Sequence, residues 1–589
     1  MPLEKVRHKA DFCVVGGGLA GLCAAVTAAR HGAKTVLMQE RPMLGGNASS
    51  EVRMWVSGAR GENNRETGLL EEIMMDNQYR NPDKVYCIWD SVLYEKARSE
   101  KNLTLLLNCS CMDAEMNGNI ICSVTGWQMT TQQFHCIEAR VFADCSGDSI
   151  LAPLTGAEAR MGREARSEYG ESFGPEEADT RTMGMTCLMQ AEETEREHTF
   201  IAPEWAEKIT SEQLIGRKPD LHRVAENYCH LELSDDEHPI SATEELRDQL
   251  LAIDFGVWDY LKNDPEEKEK NKNYMLSWIG MLPGKRESRR YVGAHVLTEP
   301  EVLSGGCFDD EVAYGGWPMD DHHPGGFRVS DEPTIFHPAP SPYGIPFGCL
   351  YSVSVPNLMF AGRNISVTHA AMSSSRVMGT CALLGQAVGT AAALTAQYDC
   401  YPGEVAALHM EEMQDMLMAD DCFLPHKCRK IPGICSSAVL SGDGEDADKL
   451  RDGIDRPRPG DEHAWKCEKG AKAEYLFSSP KSLHSVRLVF DSDLNRETLP
   501  APECELARNM FHNRLIRCQP SVVPPSMVRA FRVIAINDKG KREIIIDENN
   551  NYHRLYRRKV SAENCVRLIL EIVDSWGFER VRVFAFEAE

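Results

Sequence analysis

The period of the apolar positions changes several times along this chain. From Asp11 to Val15 they run almost without a break, as in a short strand covered on both faces. A glycine-rich turn, Gly16 to Gly21, comes next, and Leu22 to His31 is an Ala-rich helical stretch closed by Gly32. A second strand, Lys34 to Met38, runs into Gln39 and Glu40. Val141 to Asp148 predicts another strand, ending in a small-residue turn and an acid, and Asn357 to Asn364 a strand leading into a glycine turn. A long helix then carries Gly379, Gly385 and Gly389 among Ala and Leu. Between these elements Met183 to Gln190 is apolar and strand-like, and residues 242–262 read as a helix with Leu246, Leu250, Leu251 and Trp258 on one stripe. The charge run from Asp264 to Lys272 predicts a solvated loop. Beyond Pro425 the helical period stops, and 473–477, 485–490, 531–536, 565–570 and 581–586 alternate as strands do, which predicts a β-sandwich.

The first βαβ stretch carries chemistry. Strand, G-x-G-x-x-G, helix, strand and an acid follow one another within Asp11 to Glu40. Gly16 suits the tight turn, Gly18 an approach of the backbone to a pyrophosphate, and Gly21 close packing of helix on strand. Leu19 and Ala20 open the helix, whose N-terminus offers free N–H groups to the phosphates. Glu40 stands 19 positions after Gly21, near the ~20 at which an acid accepts from ribose hydroxyls.

Composition narrows the classes. The chain has 589 residues and a net charge of −25, with 42% hydrophobic and 26% charged residues. Length alone suggests about four domains. The negative balance argues against nucleic acid and against anionic membrane surfaces. The 21 cysteines include no CxxC pair, so iron–sulfur, zinc-ribbon and thioredoxin-like chemistry lose support. Cys109 and Cys111 read as buried thiols, and the expected compartment is the reducing cytoplasm. No signal-peptide core and no membrane span is expected, because no apolar run approaches ~20 residues.

Three further segments carry a resemblance: Arg41 through Gly45, Gly46, Asn47 and Ser50; Ser146-Gly147-Asp148; and Gly362-Arg363-Asn364 through Ser374, Ser375 and Arg376 to Gly379. With the fingerprint and Arg286-Glu287-Ser288-Arg289-Arg290, they resemble the FAD-dependent oxidoreductase family, which is distantly similar to the fumarate reductase and glutathione reductase groups. The resemblance covers roughly residues 8 to 425. It implies FAD as cofactor, held by these glycines, Glu40, Arg41, Asn47, Ser146, Asp148, Arg363, Ser374 and Ser375, and it implies that the long helix points at the flavin. No second G-x-G-x-x-G follows a strand, so electrons are expected to pass through the substrate or an external partner. Leu450-Arg451-Asp452-Gly453 and Ala464-Trp465 resemble the start of discoidin or carbohydrate-binding modules. The expected fold is α/β: a Rossmann-like FAD-binding domain (1–160 and 346–425), an inserted α+β substrate domain (161–345) and a C-terminal β-sandwich (430–589).

The candidate catalytic residues are His322, His323 and Asp321 in the Gly315-to-Gly326 segment, expected as a loop, together with His369, Arg289 and Arg376. A histidine oriented by a carboxylate suits removal of a hydroxyl proton, and arginines suit an anionic or hydroxyl-rich substrate. Tyr343 is expected beside the same pocket. Adjacent Asp-Asp-His-His cannot readily face one ion, so no metal is expected. The leading expectation is oxidation of a polar small molecule such as a sugar or glycoside hydroxyl. The alternatives are reduction of an activated C=C bond, with an arginine clamping a carboxylate, and a non-catalytic glycan-binding scaffold. A homo-oligomer and an unidentified electron acceptor or donor complete the expected partners.

Overall fold

The computed structural model describes residues 3–221, 228–234, 238–496, 510–511 and 522–589. In chain order the elements that frame the site are β1 (Glu4–Val15), α1 (Leu19–Arg30), β2 (Thr35–Met38), β3 (Leu103–Leu106), β4 (Cys109–Asn117), β5 (Ile120–Gln128), β6 (Gln133–Asp144), α2 (Thr243–Asn263), β7 (Met319–His322), β8 (Leu358–Phe360), α3 (His369–Ser375) and α4 (Met378–Tyr398). β3, β2, β1, β6 and β8 lie side by side and parallel. β6 divides one edge between two partners. Its first half pairs antiparallel with β5, which continues into β4, and its last three residues pair with β8. The near-continuous apolar runs follow from this, since β1 and β2 are covered on both faces and fully buried where they adjoin.

α1 and α4 cross over this sheet. A Cβ on Gly385 would stand 2.0 Å from the Ala20 carbonyl oxygen and one on Gly389 2.3 Å from that of Ala24. The helix glycines are therefore the contact itself. Against the sequence expectation, α4 is long and apolar enough to cross a membrane by length and composition, but 94% of its most apolar window is buried inside the fold. A buried helix and a spanning one share that composition.

Residues between β6 and β8 add α2, whose stripe of Leu246, Leu250, Leu251 and Trp258 is buried as expected, and several two-stranded pairings. Two local expectations need correcting. The charge run after Asp264 holds a short helix, Lys268–Asn271, because Lys262 donates to the carbonyls of Asn271, Lys272 and Tyr274 and anchors it. The segment before Gly326 is not wholly loop: Met319–His322 is a strand, pinned antiparallel to Thr334–His337 despite residues of low strand preference.

The C-terminal part is a seven-stranded antiparallel sheet. The runs expected at 473–477 and 485–490 are one bent strand, Lys472–Phe490, which pairs with both Leu555–Ser575 and Arg580–Ala588. Trp465, Tyr475, Phe490 and Phe531 fill its core. Buried arginines fasten it to the first part: Arg496 grips Glu71 with two hydrogen bonds of 2.7 Å, Arg554 donates to Asp421 at 2.8 Å, and Arg456 to Thr67 at 2.8 Å.

Candidate active site

The carboxyl ends of β1, β2, β6 and β8 open into one cavity of about 660 Å³, within the range of small-molecule sites and where open parallel sheets bind ligands. Its first half is backbone and small side chains. Gly16, Gly18, Leu19, Ala20, Glu40, Arg41, Gly45, Gly46, Asn47, Ser146, Gly147, Asp148, Gly362 and Arg363 all line it. Gly16 has a φ of +102°, and a Cβ there would meet the Cys145–Ser146 backbone at 2.5 Å. At Gly18 the nearest atom to an added Cβ is 3.9 Å away, so the backbone faces open cavity. Gly21 does not line the cavity; its Cβ would stand 1.8 Å from the Gly16 carbonyl, which makes it the packing glycine. Gly18 caps α1 without any side-chain acceptor, leaving first-turn N–H groups available to phosphate.

Sequence reasoning missed two braces of this half. Gln39 accepts from the Gly17 N–H at 2.7 Å and donates to the Met43 carbonyl, holding the glycine turn from below. Asp144, at the end of β6, accepts from the Ser146 and Leu151 N–H groups and from the Tyr291 hydroxyl. Asp148 binds Lys285 at 2.7 Å and Arg363 at 2.5 Å. Burial opposes its charge, yet these cations hold its carboxyl below the usual range. Cys109 and Cys111, expected as merely buried thiols, reach the cavity wall. Glu40 keeps 65% of its side chain exposed at the mouth.

The second half is made of side chains from distant segments: Thr186, Cys229, His230, Arg286, Arg289, Trp317, Asp320, His322 and Arg376 all reach it. β7 alternates, as a strand must. Asp320 and His322 face the cavity, whereas Asp321 turns to the other side and meets His369 Nε2 at 3.2 Å. Asp320 accepts from Thr334 Oγ1 at 2.6 Å, faces His322 Nε2 at 3.2 Å, and takes Arg376 Nη2 at 3.3 Å. Burial opposes its ionisation, but His322 and Arg376 hold it well below the ordinary carboxylate range. His322 also meets Glu232 through Nδ1 at 3.0 Å. Burial and Arg286 disfavour its cation, yet Asp320 and Glu232 raise it above the ordinary histidine value.

His369 and His323 do not line the cavity. His369 is buried between Glu287 and Asp321, and those carboxylates overcome burial to push it up to about 10. His323 lies near Asp331 and accepts from the Gly325 N–H. Tyr343 and Ser374 bond each other at 2.7 Å away from the cavity, and Ser375 is buried in α3. Among the motif arginines, Arg290 is spent on Glu164 and Glu287. Arg286 donates to the carbonyls of Gly184 and Cys229. The Nε atoms of Arg289, Arg376, Arg41 and Arg363 are buried and bonded to no protein acceptor. A bulky, anionic, two-part ligand fits such a wall: glycines where a pyrophosphate must approach, and unsatisfied guanidinium donors along its length.

Comparison with known proteins identifies the family. No curated protein matches the sequence. Solved structures with some likeness include a family 32 carbohydrate-binding module from Streptococcus pneumoniae EndoD (9% identity, 27% of this chain and 97% of that one, TM-score 0.20). Another is the L-proline dehydrogenase from P. horikoshii (17% identity, 28% of this chain and 26% of that one, TM-score 0.16). Likenesses this slight carry no weight. The model of the family described as FAD dependent oxidoreductase, in contrast, matches residues 11–417, more than two thirds of the chain. This chain therefore belongs to the FAD-dependent oxidoreductase family, and FAD is its cofactor.

Proposed function

We propose that the protein oxidises or reduces a polar small molecule bearing an anionic group, a class that includes hydroxy acids and sugar acids. When bound, FAD supplies the N5 centre that exchanges a hydride with such a molecule. The observation that carries the anionic class is the pair Arg289 and Arg376, which reach the cavity wall with Nε donors that no protein group satisfies. Each offers a charge-assisted hydrogen bond of the kind that orients a carboxylate. His322, whose cation Asp320 and Glu232 favour, adds to the same field. We read residues 1–160 and 346–425 as a Rossmann-like FAD-binding domain, with 161–345 inserted as the substrate domain; the parallel strand order and the convergence of strand ends support this. The C-terminal sheet, read as a β-sandwich, is assigned a packing role on the strength of its buried arginine fastenings.

Anaerobic titration of the purified holoprotein tests the substrate class. A hydroxy acid or sugar acid should abolish the oxidised-flavin absorbance, and its uncharged amide or alcohol counterpart should do so at least tenfold less efficiently. Equal efficiency of charged and neutral members would sink the anionic assignment. Reduction of an activated C=C bond is favoured by one observation, the histidine held as a proton donor beside Arg376. Reoxidation of the reduced protein by an enoate, without bleaching of the oxidised protein by any hydroxy acid, would select that direction.

A further inference from the structure

Most ionisable groups on the substrate-half wall are already committed. Asp320 is held by His322, Arg376 and Thr334, and His322 has a carboxylate at each ring nitrogen. Lys285 is paired with Asp148. His369 and Asp321 face each other outside the cavity. Each of these already has an ionic partner of its own.

Cys229 and His230 differ. Both are partly exposed, both line the cavity, and they are neighbours in the chain, with the imidazole acting directly on the thiol. The backbone beneath them is fixed: the Cys229 carbonyl accepts from Arg286 Nη2 at 2.6 Å and from Thr186 Oγ1 at 3.1 Å. The His230 ring stands edge-on to His322, with centroids 6.2 Å apart. The charged groups around the thiol are His230, Arg286 and His322, and those around His230 are Cys229, Glu232 and Arg286. Burial pushes this thiol up, but His230, and then Arg286 and His322, bring it down to about 7. His230 rises to about 9, chiefly through Cys229. The other thiols of the cavity wall go the opposite way, with Cys109 pushed by burial to about 11 and Cys111 and Cys381 to about 12. Trp317, only 6% exposed, lines the same half, and its indole Nε1 bonds no protein acceptor, so a donor is left for a ligand.

We propose that Cys229 and His230 form the proton-transferring pair of the substrate half. The role rests on the reading that a polar small molecule is oxidised or reduced in this cavity. In the oxidative direction the substrate O–H bond breaks and its proton goes to Cys229 Sγ, forming S–H. The carbinol C–H bond would break with its electron pair, for which FAD, when bound, would supply the hydride acceptor, leaving the substrate C=O. His230, as its cation, holds the thiolate before the transfer by donating to Sγ, and keeps its own proton when Sγ becomes a thiol. In the reductive direction the thiol returns the proton.

Two measurements on the holoprotein test this. The first is the rate of iodoacetamide alkylation at Cys229, read by peptide mapping against pH. The midpoint should lie near 7 in the wild type and move up by one unit or more in His230→Gln. The second is substrate-dependent loss of oxidised-flavin absorbance in Cys229→Ser, which should slow about 10²–10⁴-fold with FAD retained. An alkylation midpoint like that of ordinary thiols, ~8.5, unmoved by His230→Gln, overturns the pair. So does full turnover by Cys229→Ser, and either result leaves the oxidoreductase reading standing. A midpoint near 7 in a holoprotein whose flavin no molecule of the proposed class bleaches or reoxidises overturns the reaction, and with it this role.

Discussion

The glycine-lined half of the cavity, which we assign to the cofactor, presents mostly backbone, with glycines, N–H groups of a helix start and strand ends drawn from four adjacent parallel strands. The substrate half presents polar and charged side chains brought from Thr186, Cys229, Arg286, Asp320 and Arg376, segments far apart in the chain and interlocked by hydrogen bonds and ion pairs. The first half is held mainly by packed backbone, so few of its contacts depend on a side chain staying paired. The second is rigid only while its charges remain matched, because a buried charge stripped of its partner costs several kcal/mol.

The sharpest break between the halves comes from two neighbouring glycines. Gly21→Ala forces a methyl to within 1.8 Å of the Gly16 carbonyl, and overpacking of this kind costs about 1–3 kcal/mol or more. It should yield protein with a clearly lowered Tm and little bound flavin. Gly18→Ala puts its methyl into open cavity instead, so thermal melting of the apoprotein should be unchanged while FAD affinity drops at least tenfold. Equal losses of Tm in both variants would end the distinction between a packing glycine and a contact glycine.

A smaller effect is expected in the substrate half. Arg376→Met removes a charged hydrogen-bond donor worth about 1.5–3 kcal/mol. It should raise KM for an anionic substrate about 10- to 100-fold with the flavin spectrum intact; loss of flavin along with KM would show that the halves are not separable.

Next comes a pH effect within the ion-pair network. The folded value for His369, about 10, exceeds its ordinary 6.5. A raised histidine contributes its full stability below the unfolded value and loses it as pH climbs through the folded one. The Tm deficit of His369→Gln should therefore be largest near pH 6 and shrink toward pH 10, and melts of both proteins across that range would show it. A deficit independent of pH would mean that His369 acts by packing alone.

The smallest effect is assigned to Glu40. Its side chain is 65% exposed at the mouth, so Glu40→Gln should weaken FAD binding only about 3- to 10-fold, the worth of one hydrogen bond. An unchanged Kd would remove it from the ribose contact.

The same difference decides what was legible in the sequence. A backbone site is written locally: the turn, the helix and the second strand follow within thirty residues, and Gly16 and Gly18, named by the spacing, line the cavity together with Gly45 and Gly46, named by the resemblance. The substrate half has no local signature. Strand alternation separated Asp320 from Asp321, and only the pairing of β7 reveals which faces the cavity. Cys229-His230 is one dipeptide in an irregular stretch, and its meeting with Arg286 and Thr186 is a product of tertiary packing. Gln39 could have been suspected, being a polar residue in a buried strand end directly before Glu40. The strand over Met319–His322 could not, because its residues favour turns and the pairing partner overrides them.

The bare contact between Gly385 and Ala20 has a consequence for how this molecule could change over time. α4 starts two residues after Arg376, so that guanidinium and the phosphate-facing turn are carried on one stiff frame. Arg289 and Cys229 belong to the stretch between β6 and β8. Loops of that stretch could be exchanged, and the chemistry they accept rewritten, while the frame kept one arginine at a constant offset from the glycine turn. One methyl group at position 385 would shift both ends of that frame together. Drift at this buried glycine, remote from any reacting atom, would thus register as a fault in cofactor and substrate binding at once.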